Sequence, residues 1–102
     1  MDNLPVAVGG VPPGIGDVTA VRLRLLVDLM VELHALGRGV SLTMAAHGQP
    51  VLYVRVRDGA RALAVLSMQG AGGAWLFCWG GGHVATADGT ARAAHQIAAG
   101  AR

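Results

Sequence analysis

The sequence predicts an α+β domain with an N-terminal helix, a four-stranded antiparallel meander sheet and a C-terminal helix, both helices packed on one sheet face. Three observations lead there. Residues 18–36 run without proline or glycine and end at Gly37; four short apolar segments follow, separated by turn residues; and the chain closes on a short alanine-rich segment behind Asp88 and Thr90. Strands grouped between helices, rather than alternating with them, indicate an antiparallel sheet in an α+β architecture.

The chain has 102 residues, enough for one hydrophobic core. Residues 1–16 hold three of the four prolines and four glycines without periodicity, and read as a flexible arm ahead of a single domain over 17–102. Asp17 or Thr19 is placed to cap the first helix, and Gly37 to stop it. At about 100° per residue, Arg24, Asp28 and Glu32 fall on one narrow stripe, while Leu23, Leu26, Val27, Leu29, Met30, Leu33 and Leu36 spread over a much wider arc. That arc is too broad for one sheet face, so a second element or a second copy of the chain is needed to cover it.

Residues 40–46 alternate Val40, Leu42 and Met44 and form the first strand. Residues 51–57 alternate most clearly, with Leu52, Val54 and Val56 on one side and Tyr53, Arg55 and Arg57 on the other. Asp58-Gly59 signals a tight hairpin into a third strand at 62–68. The glycine-rich turn Gly70-Ala71-Gly72-Gly73 leads to a fourth at 74–79. Gly80-Gly81-Gly82 and the link 83–87 follow, the link either extending that strand or crossing the sheet edge. A helix over 91–99 then presents Ala93, Ala94, Ile97 and Ala101 as a thin face of small residues.

The fourth strand holds both tryptophans, Trp75 and Trp79, with the sole phenylalanine, Phe77, and the sole cysteine, Cys78. Large rings bury the most surface per residue, so this strand is expected to organise the packing. Two arrangements are open. If register places Trp75, Phe77 and Trp79 on the same exposed side as Tyr53, Arg55 and Arg57, an aromatic and basic platform results, of the kind that stacks bases of single-stranded nucleic acid. Otherwise the rings line the inner wall of the core beneath the first helix, and Tyr53, Arg55 and Arg57 are left as a solvated face. The inner-wall arrangement is expected, with any functional surface then on the opposite sheet face or along the first helix.

Catalytic and cofactor readings find little support. Gly80-Gly81-Gly82-His83-Val84-Ala85 satisfies G-x-G-x-x-A, but a dinucleotide site needs a helix opening inside that motif and an acidic residue about twenty positions on. His34, His47, His83 and His95 are not paired at helical ligand spacing, and one thiol cannot build a Cys-rich metal site. No metal and no cofactor are expected. Cys78, between two rings, reads as a small buried hydrophobe rather than a nucleophile, which needs exposure and a lowered pKa. Enzymatic activity is not expected.

A lone cysteine excludes an intramolecular disulfide and fits a cytoplasmic location. The calculated isoelectric point near 9.5 rests on a net charge of only +2, which makes a weak case for a polyanionic partner. The interval 62–87 carries no charge and is long enough to span a bilayer, yet its six glycines suit a buried hairpin better. No membrane association is expected.

The order of a long apolar helix, a few strands, Trp75-x-Phe77-x-Trp79-Gly80 and an aspartate-capped alanine-rich helix over 88–99 resembles a type of small actinobacterial protein of unknown function, over about 19–99. That resemblance implies an accessory or regulatory factor and supplies no site residues. The functional expectation is a non-enzymatic interaction or regulatory module that forms a homodimer. The alternative is a binder of single-stranded nucleic acid or an aromatic small ligand through the sheet face. The binding candidates are Tyr53, Arg55, Arg57, Trp75 and Trp79.

Overall fold

The computed structural model describes residues 15–56 and 61–100. Its elements are α1 (Ile15–Ala35), β1 (Val40–Met44), β2 (Pro50–Arg55), β3 (Ala62–Gln69), β4 (Trp75–Trp79), β5 (His83–Thr86) and α2 (Thr90–Gly100). The strands form one antiparallel sheet in sequential order, and the α+β class and meander topology are as expected. The strand count differs: there are five strands, not four.

The extra strand is the link after the glycine triplet. Gly80, Gly81 and Gly82 have φ of +59°, +74° and +148°, a run of left-handed backbone that side chains resist and that turns the chain back on itself. β5 then pairs with β4, Trp79 opposite His83 and Phe77 opposite Ala85. Too short and weakly apolar to read as a strand alone, this segment is held by the ladder of its neighbour.

Helix α1 begins at Ile15, three residues before the expected start, so Asp17 lies inside the helix rather than before it. Its end matches the sequence reading. Gly37, at φ +80°, donates from its N–H to the His34 carbonyl at 2.9 Å, and Arg38 N–H reaches the Leu33 carbonyl at 3.0 Å. Those two bonds make a Schellman stop, which satisfies carbonyls that the helix would otherwise leave open. At the start of α2 the Thr90 hydroxyl donates to the Ala87 carbonyl at 3.4 Å, while Ala93 N–H opens the helical ladder on the Gly89 carbonyl at 2.9 Å.

Both helices lie on one side of the sheet. α1 packs over β1, β2 and β3, and α2 lies beside it and against β5. The core between these layers contains Leu26, Leu29 and Leu33 of α1, Leu52, Val54, Val65, Phe77 and Trp79 of the sheet, and Ala93, Ala94, Ile97 and Ala98 of α2. Alanines on α2 let that helix approach α1 closely, so the wide apolar arc of α1 is shared between sheet and helix. Val21, Leu23, Val31 and Leu36 remain exposed.

Two polar contacts tie the layers. Ser67, on the inner face opposite Phe77 and only 1% exposed, donates from Oγ to the Arg22 carbonyl of α1 at 3.1 Å. Arg38, just past α1, donates from Nη2 to the Ala98 carbonyl at 3.0 Å, placing a cation at the C-terminal end of α2 where the helix dipole favours it. None of the helices among the described residues is long and apolar enough to cross a membrane.

Candidate functional site: the open sheet face

Strand alternation and register divide the sheet residues cleanly. On the helix side, Leu42, Leu52, Val65, Trp79 and His83 form one row across all five strands. Trp75 and Phe77 belong to this same side, Phe77 fully buried, Trp79 7% exposed and Trp75 packed against the core from its margin. The Trp79 ring stacks on His83 with centroids 5.8 Å apart and planes at 18°.

The other side carries the rows Ser41–Tyr53–Ala64, Leu66–Cys78–Val84 and Met68–Leu76–Thr86, with Thr43 opposite Val51 and Arg55 opposite Ala62. No described element covers this face. Tyr53, Met68 and Val84 are exposed, and Val51, Leu66, Leu76 and Cys78 are half-buried only because neighbouring side chains crowd them. Arg55, at one corner, is the single charge among the strand residues here. An uncovered sheet face normally alternates to polar residues, so this face is unusually apolar for one that no described element covers.

Of the residues named from the sequence, Tyr53 and Arg55 therefore share the open face, and Trp75 and Trp79 share the covered one. The structure does not bring the two sets together, and a platform built from both is not assembled. Arg57 and the Asp58-Gly59 hairpin lie outside the described residues. Beside Tyr53 and Arg55 the structure brings Ser41 from β1 and Arg61 from the approach to β3, which together with Gly39, Val40 and Ala62 line a recess of about 430 Å³. Sequence reasoning missed Ser41 and Arg61. Arg61 precedes the apolar run of β3, and its carbonyl accepts from Val56 N–H at the mouth of the β2–β3 ladder, which brings it to the recess.

Cys78 corrects one expectation. It is a half-exposed thiol on the open face rather than a core residue. Because Phe77 and Trp79 both point to the helices, the residue between them must point away. Partial burial by Leu66 and Val84, its cross-strand neighbours, raises its pKa above the ordinary thiol value by desolvation. The histidines are dispersed, and no group of three potential metal ligands occurs among the described residues.

A second apolar strip lies along α1, where Met30, Val31 and His34 with Val40 of β1 line a shallow hollow. It is smaller than the sheet face. No protein-family model matches the chain, and neither a curated protein nor a solved structure matches it.

Proposed function

We propose that this protein is a non-enzymatic interaction module that pairs with a second copy of itself through the open sheet face, in an accessory or regulatory role. The observation that carries the reading is the row structure of that face: Leu66, Cys78 and Val84 beside Met68 and Leu76, with a lone charge at the corner.

A twofold contact sets one patch against its own copy, so a charged patch would repel itself and an uncharged apolar one does not. Size agrees. Five strands about 4.8 Å apart, with five or six residues rising about 3.3 Å each, project to roughly 450 Å². Side-chain relief raises the accessible area towards the ~800 Å² per partner of a standard stable interface. Two such faces would meet as stacked sheets about 10 Å apart, giving a four-layer helix–sheet–sheet–helix particle. The same proposal places the protein in the cytoplasm, since Cys78 has no partner within its own chain to oxidise with.

Light scattering at tens of micromolar tests it. The expected mass is twice the 10.4 kDa of one chain, and Leu66→Asp, at the middle of the face, should return it to one chain with an unchanged circular dichroism spectrum. A wild-type mass of one chain at that concentration would remove the reading.

A further inference from the structure

We infer that the recess at the Arg55 corner of the open face is a binding site for a nucleotide unit, in which Arg55 and Arg61 hold the phosphate and the Tyr53 ring receives the base. This goes beyond self-association and competes with it, because face-to-face pairing of the sheets would cover the Tyr53 ring.

The recess exists because of residue size. Tyr53 faces Ser41 on β1 and Ala64 on β3, and Arg55 faces Ala62, so small side chains leave a hollow that Tyr53, Arg55 and Arg61 line. At about 430 Å³ the space is within the range of small-ligand sites. With no large neighbour across either strand, the Tyr53 ring stays 38% exposed and offers a surface for stacking.

Both arginines are positioned by backbone bonds. Arg55 N–H donates to the Gly39 carbonyl at 2.8 Å, and the Arg55 side chain lies along Gly39, where a Cβ would meet Arg55 Cβ at 3.5 Å and Nε at 3.7 Å. The Arg61 carbonyl accepts from Val56 N–H at 3.1 Å, which anchors Arg61 at the mouth of the β2–β3 ladder. Asp28 and Glu32 lie on α1, on the other side of the sheet, and Asp88 precedes α2. Two planar guanidinium groups suit the oxygens of a phosphate, which they bind in forked pairs. A phosphate joined to a flat ring therefore matches the recess, whether as a free mononucleotide or as the phosphorylated end of a single strand.

The test titrates the full chain with AMP, inorganic phosphate and a short 5′-phosphorylated single-stranded oligonucleotide, by calorimetry and by arginine Nε chemical shifts. AMP should bind saturably in the millimolar range or tighter, moving the Arg55 and Arg61 resonances and weakening with salt. Arg55→Gln and Arg61→Gln should each weaken AMP about tenfold. Tyr53→Ala should weaken AMP while leaving inorganic phosphate unchanged. An oligonucleotide binding tighter than AMP assigns the unit to a strand end, and equal or weaker binding assigns it to a free nucleotide. Absence of saturable AMP binding, or binding that survives both arginine substitutions, overturns the inference. The titration is read on dilute single chains, with light scattering on the same samples reading self-association separately: AMP should shift any pairing towards single chains, and a single chain that binds AMP without pairing at higher concentration would fail the dimer and keep the site.

Discussion

The two faces of this sheet are built by the same five strands and have opposite fates. On the helix side, Leu52, Val54, Val65 and Phe77 are fully buried; one residue along the same strands, Val51, Leu66, Leu76 and Cys78 are half-buried and Tyr53, Met68 and Val84 are exposed. The residue types hardly differ. Aliphatic side chains occupy both sides, so hydrophobicity alone does not decide which face is core. The decision lies with the helices, which both settle on the side of the sheet that carries the rings. Phe77 and Trp79 offer the largest area to bury, and they share one core with the leucines of α1 and the alanines of α2.

That contrast can be broken most sharply at neighbouring residues of β4. Phe77→Ala should destabilise the fold by about 3–5 kcal/mol, enough to unfold much of the protein, as read by denaturant titration. Leu76→Ala, one position away on the open face, should cost the dilute monomer less than about 1 kcal/mol. It should instead weaken self-association measured at higher concentration. Equal losses from the two would mean that the open face is as tightly packed as the core.

A smaller effect is expected from the polar links beneath the covered face. Ser67→Ala removes the hydroxyl held by the Arg22 carbonyl and should cost about 1 kcal/mol. Arg38→Ala, which releases the Ala98 carbonyl at the end of α2, should cost a similar amount and loosen the last turn, seen as faster amide exchange over 97–100.

The smallest energetic effect concerns the thiol of the open face. Desolvation favours the neutral form of Cys78, so at a given pH less thiolate is present than for a free cysteine, and alkylation should be slower. The sign for stability follows. An acid whose pKa is raised on folding holds its proton longer in the folded chain, so stability is flat below the ordinary thiol value of 9.0 and declines as pH rises past it. If the face pairs with its copy, alkylation should slow further as protein concentration rises; a concentration-independent rate would show that Cys78 stays open.

Much of the architecture was legible in order along the chain. The uninterrupted run into Gly37 announced α1 and its stop, and alternation in β2 announced that Tyr53 and Arg55 share a side opposite Leu52 and Val54. The same rule placed Trp75, Phe77 and Trp79 together. Alternation also puts Cys78 on the side opposite the rings, and the expectation that it is core came from its residue type and neighbours rather than from that rule. β5 was illegible for a different reason: His83, Val84, Ala85 and Thr86 carry a weak pattern and become a strand because three left-handed glycines deliver them to the edge of β4. The candidate recess was half visible. Tyr53 and Arg55 are two residues apart on one strand, but Ser41 and Arg61 reach them only through pairing with β1 and β3.

By itself, then, the sequence determined which residues share a side of each strand, where the chain turns and where α1 stops, because spacing, glycine and helix propensity act within a few neighbours. Only the tertiary structure decided which side became core, which apolar side was left bare, and which residues from separate strands line the Arg55 corner. Those outcomes depend on how elements distant in sequence divide a limited amount of covering surface. With two helices available and both placed on the side that carries the rings, the second apolar face of the sheet has nothing in the described chain to cover it.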